Sequence, residues 1–477
     1  MNVLFVYANV SIDPNHQKGY DYLGIAYLSA VLKKNNINTE LFQVRKPISE
    51  SEFVEGIKNY KTPDLIAFTS TTNQVYFVKK WADALRKSKN ILTILGGVHA
   101  TLRPEESLGL NGIDMICVGE GEDALLDVCK KIMNRDTDFS QIPNIWWKNG
   151  DKIYKNKPRP LIENLDVLPF PDKDIYDFIP PERYQLFASR GCPYVCSYCF
   201  NHSYTKETYG SAKNFLRFRT PENIIEEIKF AIKKYPEIQY IHFIDDILPL
   251  KKVLFAKFAK LYKENISLPY VAHARPNLLD EEIIKILKES NCIQLQIGLE
   301  SGNDYIRNKI LKRNISRQQI VDAFTISKKY GIKTYSYNMT GIPFETKDSA
   351  LDTMKLNASL DIDLFQISLY YPYPKTELEK VCMEQNLIEK EWNIDCFTDS
   401  ILKFDKPTKE FFVFLRGYFV VLVKFYSRMY KLPKTLSKIT IGISDIIIKN
   451  YIFCKFANKV RATLVKTRNI IKHGKKK

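Results

Sequence analysis

Ser189-Arg190-Gly191-Cys192-Pro193-Tyr194-Val195-Cys196-Ser197-Tyr198-Cys199-Phe200 places three cysteines at C-x3-C-x2-C spacing in one loop. The loop directly follows the apolar run Gln185-Leu186-Phe187-Ala188, which reads as a strand. Three thiolates held this close are soft ligands, suited to an iron–sulfur cluster or to zinc. A tetrahedral zinc site needs a fourth protein ligand, and His202 is at hand for it. A cubane held by three cysteines instead leaves one iron open. Spacing alone leaves both readings standing.

Downstream of the cysteines, strand and helix patterns alternate. Strands are predicted over 185–188, 240–244, 270–273, 293–297, 334–339 and 364–369, with helices over 221–235, 280–290, 316–330 and 347–360. Thr220 reads as a helix cap, with Pro221 at the opening position. Six such units predict a partial (β/α)6 barrel rather than a closed barrel of eight. Chemistry in barrels sits at the carboxyl ends of the strands, and the polar motifs fall there. They are Asp245-Asp246, Arg275-Pro276, Gly298-Leu299-Glu300-Ser301-Gly302, Thr340-Gly341-Ile342-Pro343-Phe344-Glu345-Thr346 and Tyr371-Pro372-Tyr373-Pro374-Lys375-Thr376. Each alone is ordinary turn or cap chemistry. Five on one rim, beside a three-cysteine loop, point to a site.

Upstream, residues 1–135 also alternate strand and helix, with five strands predicted. This implies an α/β, doubly wound, open parallel sheet, whose ligands bind beyond the carboxyl ends of the strands. Three loops fall at that edge: Ser70-Thr71-Thr72-Asn73, Gly96-Gly97-Val98-His99-Ala100-Thr101 and Gly119-Glu120-Gly121-Glu122. Paired glycines let a backbone come close to a flat or bulky ligand, although one such pair could equally be a tight turn. Residues 136–183 read as a linker, with a hairpin around Asn149-Gly150 and the proline-punctuated Leu165-Asp166-Val167-Leu168-Pro169-Phe170-Pro171.

At 477 residues, 45% hydrophobic and 13% aromatic, the chain suits two or three globular domains. Met1-Asn2-Val3-Leu4-Phe5-Val6 has no basic segment ahead of an apolar one, so no signal peptide is expected. Nine cysteines, an odd number, argue for a reducing cytoplasm and metal chemistry over a disulfide framework. The net charge of +17 is uneven, since residues 401–477 hold 19 Lys/Arg against 3 Asp/Glu and the rest of the chain sums to +1. In this helical, basic tail, Arg416 and Lys424 interrupt an apolar stretch too often for a transmembrane span. For 409–430, a helix packed over the barrel mouth is preferred to an amphipathic helix on a membrane surface. The stretch 455–477 could meet anionic lipid or solvent; it lacks the interleaved aromatics of a nucleic-acid binder.

The residues Leu23-Gly24-Ile25-Ala26-Tyr27-Leu28, Ser70, Gly96-Gly97-x-His99-x-Thr101 and Gly119-Glu120-Gly121-Glu122 resemble the cobalamin-binding domain ahead of many radical S-adenosylmethionine (SAM) enzymes. The cobalt-ligating pattern of some such domains is D-x-H-x-x-G. Here Asp13-Pro14-Asn15-His16-Gln17-Lys18-Gly19 has one residue too many between Asp and His. The resemblance then implies cobalamin bound without a histidine ligand. Ser70, Gly96, Gly97, Thr101, Gly119 and Glu120 would contact it, with His99 at its periphery.

Residues 184–400 resemble the radical SAM superfamily, whose hallmark is C-x3-C-x2-C with an aromatic, here Tyr198, before the last cysteine. The resemblance implies that Cys192, Cys196 and Cys199 bind a [4Fe-4S] cluster whose open iron takes the amino and carboxylate groups of SAM. It places Tyr198, Gly341 and Pro343 near the adenine, Asp245 and Asp246 at the amino group, Gln296 and Glu300 at the ribose and carboxylate, and Arg275 at the carboxylate. The whole is similar to class B methyltransferases and anaerobic oxidative cyclases with a B12-binding domain. The expected domains are 1–135 cobalamin-binding, 136–183 linker, 184–400 radical SAM and 401–477 helical and basic. The expected activity is reductive cleavage of SAM to a 5′-deoxyadenosyl radical, with methylation of an unactivated carbon in a secondary metabolite, lipid or tetrapyrrole. Ring formation or rearrangement is the alternative. A non-catalytic cobalamin- or zinc-binding regulator fits the strand-end motifs poorly. Implied partners are a small-molecule substrate, a low-potential donor of flavodoxin or ferredoxin type, and a membrane surface for the tail.

Overall fold

Val3-Leu4-Phe5-Val6 is apolar at every position, which is what a strand covered on both faces requires. In the computed structural model, which describes residues 1–10, 22–177, 182–210, 215–389 and 399–474, this run is the core of strand β1 (Asn2–Ala8). Val3, Phe5 and Tyr7 enter one core with Ile25, Cys117 and Leu125. Leu4, Val6 and Ala8 enter a second with Phe53, Phe68 and Trp81. Period-two alternation thus sends one strand into two separate cores, one on each face of the sheet.

Four parallel strands flank it: β2 (Asn38–Val44), β3 (Leu65–Thr69), β4 (Leu92–Gly96) and β5 (Met115–Cys117). Their order is β2-β1-β3-β4-β5, with Phe5 opposite Leu41 on one side and Ala67 on the other. The hairpin expected around Asn149-Gly150 forms as β6 (Ile145–Asn149) and β7 (Lys152–Lys155). It extends the first sheet antiparallel to β5, Met115 lying opposite Trp147. Trp147 anchors it in the core, edge-on to Phe139. The segment Asp13 to Gly19 lies outside the described residues.

The chain divides into two compact units, Met1–Tyr270 with Tyr373–Glu379, and Val271–Pro372 with Lys380–Lys477. The first unit also holds β8 (Arg183–Leu186), β9 (Ser189–Arg190), β10 (Arg217–Phe218) and β11 (Tyr240–Phe243). There β8 pairs parallel with β11, and β9 antiparallel with β10. After β12 (Tyr270–Ala274), the second unit carries the parallel strands β13 (Cys292–Glu300), β14 (Lys333–Thr340) and β15 (Leu364–Leu369). The six strands β8-β11-β12-β13-β14-β15 follow one another in chain order, the expected half-barrel of strand–helix units.

In the second unit, the helix Lys406–Tyr430 lays Phe411, Phe412, Leu415 and Phe419 against Leu351, Met354 and Leu369. The helix expected over 409–430 therefore packs on the strand–helix units, covering the edge strand β15, with Phe412 also against Gly341. Helices Lys434–Lys449 and Tyr451–Gly474 follow it. Among the described residues no helix is long and apolar enough to cross a membrane.

Candidate active site

The chain leaves β8 for the cysteine loop under the control of one carboxylate. Asp245, at the end of β11, accepts the Ala188 N–H at 2.9 Å and the Ser189 hydroxyl at 2.5 Å. It is almost wholly buried, and that burial raises its carboxyl to about 6 against the pull of these donors. Its neighbour Asp246 is exposed and accepts from Asn201 Nδ2 at 2.8 Å. The structure thus separates the acidic pair: Asp245 shapes the loop, and Asp246 presents a carboxylate outward.

Within the loop, the Cys199 N–H donates to the Cys196 carbonyl at 3.1 Å, and the Leu378 N–H to the Ser197 carbonyl at 2.9 Å. The helix Phe200–Tyr209 starts at the residue after Cys199. Burial pushes the Cys199 thiol to about 12, and Asp246, Cys196 and Cys192 all add to the effect. Among the described residues no three His, Cys, Asp or Glu side chains converge on a single metal ion. Three mutually close, soft thiols fit a [4Fe-4S] cluster, in which each binds a different iron. Tyr198 is half-buried beside them.

At the carboxyl ends of β3, β4 and β5 lies a cleft with about 840 Å³ of empty space, part of it open to solvent. Gly96, Gly97, Thr101, Gly119 and Gly121 form its polar backbone edge, and Ile25, Leu28 and Leu125 its apolar wall. Gly97 has φ +95, and a Cβ there would lie 2.7 Å from the Ser70 carbonyl oxygen. Thr101 ties the loops together, donating to the Gly97 carbonyl at 3.0 Å and accepting the Gly119 N–H at 3.1 Å. This broad cradle of bare backbone and aliphatic side chains fits a flat macrocycle such as cobalamin. Gly97→Ala forces a strained backbone costing ~1–3 kcal/mol. We expect it to lower bound cobalt at least about tenfold while leaving iron unchanged, as elemental analysis of purified protein will show.

Other residues assigned to this site lie elsewhere. Ser70 and His99 are buried and do not line the cleft. His99 Nδ1 faces the Thr72 hydroxyl at 3.4 Å, and burial, with Arg103 nearby, lowers its pKa to about 4, leaving the imidazole neutral. Glu120 does not line the cleft either. It accepts from Arg190 at 2.8 Å, from Arg217 at 2.9 Å and from the Ile162 N–H at 2.9 Å. Burial opposes its ionisation, but the two guanidiniums outweigh burial and hold the carboxyl below its usual range. Strands β9 and β10 place Arg190 directly opposite Arg217, so Glu120 is the counter-charge for two facing cations.

This network joins the cysteine loop to the cleft. Arg190, two residues before Cys192, reaches Glu122 at 2.6 Å, and Glu122 lines the cleft. On the other flank, Tyr204 from the helix after Cys199 also lines it. Gly119 has φ +92, where a Cβ would collide with the Tyr209 hydroxyl of the same helix. Arg190, Glu122, Tyr204, Tyr209 and Arg217 are absent from the sequence assignments. Tyr204 and Tyr209 left a trace as aromatics on the helix behind the cysteines; the arginines left none, because their partners lie 68 to 97 positions away.

The second unit carries the remaining assignments. Gln296 Oε1 accepts from His273 Nε2 at 2.8 Å and also from the Tyr337 hydroxyl, so the amide NH2 is what it can offer a ligand. Glu300 sits at a bulge of β13 with φ +64, its Oε1 3.3 Å from Arg313. Arg275 is buried, donating to Asn277 Oδ1 at 2.8 Å and to the Arg313 carbonyl. Gly341 and Pro343 are buried in a turn closed by Glu345, whose Oε2 accepts the Gly341 N–H at 2.6 Å.

Glu345 Oε1 is buried without a partner, and burial raises the carboxyl from 4.5 to about 8. An acid protonated in the folded state contributes stability fully present below its unfolded value and lost as pH rises through its folded value. Glu345→Gln carries no charge. Its thermal midpoint should gain on wild type by the equivalent of roughly 2–3 kcal/mol between about pH 6 and pH 9. Parallel midpoints across that range would refute the assignment.

Comparison with known proteins bears on both units. The model of the B12 binding domain matches residues 19–128, and that of the Radical SAM superfamily matches residues 186–356. An uncharacterized methyltransferase of Pyrococcus horikoshii is 27% identical over 442 residues, covering 90% of this chain and 92% of its own. The anaerobic magnesium-protoporphyrin IX monomethyl ester cyclase of Rubrivivax gelatinosus is 24% identical over 401 residues, covering 79% and 69%. Among solved structures, the cobalamin-dependent S-adenosylmethionine radical enzyme OxsB, with aqua-cobalamin and S-adenosylmethionine bound, has a TM-score of 0.67 at 15% identity, covering 94% of this chain and 71% of its own. At that identity the likeness is one of fold.

Proposed function

We propose that this chain, which belongs to the radical SAM enzymes with an N-terminal B12-binding domain, methylates an unactivated carbon of a small molecule. Its cofactors are a [4Fe-4S] cluster, SAM and cobalamin. The observation that carries the proposal is the shared wall: on either side of the cysteine loop, Tyr204 lines the cleft of the first sheet and Arg190 pairs with Glu122, which lines it too. Cofactors held in the loop and in the cleft would act on one substrate rather than independently.

When bound, the cluster supplies the electron that cleaves SAM to a 5′-deoxyadenosyl radical, and cobalamin supplies the methyl group. The protein's own part is placement. Cys192, Cys196 and Cys199 hold the cluster, and Asp245 sets the path of their loop through Ala188 and Ser189. Asp246 offers its exposed carboxylate to the SAM amino group, and Gln296 its amide N–H to the ribose. Tyr198 lies toward the adenine. Gly96, Gly97, Thr101 and Gly119 would cradle cobalamin, while His99 faces Thr72 outside the cleft lining. A flavodoxin- or ferredoxin-type protein delivers the electron. The substrate class is a secondary metabolite, lipid or tetrapyrrole.

The likeness to the Rubrivivax cyclase supports a second reading, oxidative ring formation. Anaerobically reconstituted enzyme, given methyl-deuterated SAM, reductant and candidate substrates, distinguishes the two. Methylation predicts 5′-deoxyadenosine and S-adenosylhomocysteine together, with label in the product. 5′-Deoxyadenosine with an unlabelled, oxidised product would establish the cyclase reading, and neither product across the panel would overturn both.

A further inference from the structure

We infer that the C-terminal helices dock this enzyme on an anionic lipid surface. The large exposed hydrophobic side chains are concentrated there: 15 of the 26 on the described chain lie between Val420 and Leu464. They are ordered on the helices. On Lys434–Lys449, Leu436, Ile439, Ile443 and Ile446 recur every three or four residues; Ile446 is 72% exposed. On Tyr451–Gly474, Ile452, Phe456, Val460 and Leu464 recur every four, and Ile452 is 75% exposed. These are apolar stripes at helical period, facing away from the core that the helix Lys406–Tyr430 fills.

Charge selects the occupant. Residues 420–464 contain nine Lys/Arg and one acid, Asp445. That acid is drawn inward, held by Lys355 at 2.5 Å and by the Tyr426 hydroxyl at 2.7 Å. The 13 residues after Leu464 add six further cations and no acid. Apolar stripes among unbalanced lysines match the headgroup–acyl boundary of an anionic bilayer, where apolar side chains enter the acyl region and ammonium groups meet phosphates. A second copy of this chain would set the same cations against each other, which disfavours self-association through this face. The described helices are too short in apolar length to span, so they lie in the surface plane.

Flotation of the full-length, cluster-loaded protein with vesicles tests this. Vesicles of roughly one-third phosphatidylglycerol in phosphatidylcholine should float at least about tenfold more protein than pure phosphatidylcholine. Raising the ionic strength from about 0.1 M to about 0.5 M should release part of it. Ile443→Asp combined with Phe456→Asp, both at exposed positions, should reduce flotation at least about tenfold with unchanged visible absorption and circular dichroism. Val253→Asp, at an 87% exposed site elsewhere, should float like wild type. Absent or charge-independent flotation would overturn the inference, as would flotation unaffected by the double substitution. So would a concentration-dependent dimer dissolved by the double substitution in protein that ignores vesicles.

Discussion

Cys196→Ala should abolish 5′-deoxyadenosine formation from SAM and reductant, with iron and sulfide content falling by more than about 100-fold. Losing a group that merely supports a metal ligand costs about 10–100-fold in metal affinity, and losing one of three ligands costs more. Cys196 is the most buried of the three thiols, so no water or exposed side chain replaces it readily. Substitution by alanine deletes only a sulfur, so the protein should stay folded. Cobalt uptake should stay within about twofold of wild type, because none of the three cysteines lines the cleft. Iron and cobalt analysis with product chromatography reads all of these outcomes. A variant that keeps its iron and still cleaves SAM would remove the cysteine loop from the chemistry.

Glu120→Gln should have the second-largest effect, and on both cofactors at once. The carboxylate is 12% exposed and pairs with two arginines that are 20% and 6% exposed. Removing it leaves facing cations uncompensated, at a cost of ~3–5 kcal/mol. In a unit of this size that lowers the melting midpoint by roughly 5–15 °C. Because Arg190 leads into the cysteine loop and also holds Glu122 of the cleft, iron and cobalt should fall together. Combining Glu120→Gln with Arg217→Met should recover part of the loss, since it withdraws one stranded cation. The control is Glu105→Gln, which breaks an exposed pair with Lys155 and should shift the midpoint by no more than about 1 °C. Wild-type melting and cobalt content in Glu120→Gln would show that the network is not what couples the two sites.

The cofactor set was legible because its signals are local. Three cysteines within eight residues and Gly96-Gly97 at a strand end are compact motifs that carry the family resemblance, and in the structure Gly96 and Gly97 line the cleft. The same holds for the alternation of strands and helices, since a period of two or 3.6 is written within a dozen residues. What spacing could not show is which of two adjacent acids is spent on the fold. Asp245 and Asp246 read alike, yet one is buried against Ala188 and Ser189 and the other is exposed. Nor could spacing show that Glu120, which the resemblance assigns to cobalamin, pairs with Arg190 and Arg217.

By itself, then, the order of residues determined the strands, the cysteine loop, the glycine cradle and the basic tail. Each of these depends on neighbours a few positions away along the chain. Only the tertiary structure decided that Arg190 and Tyr204 carry the cysteine loop to the cleft, that His99 turns to Thr72, and that two helices of the tail leave apolar stripes uncovered. Those outcomes depend on residues tens to hundreds of positions apart. Packing and charge compensation between distant segments leave no periodic trace in the chain that must fold to create them.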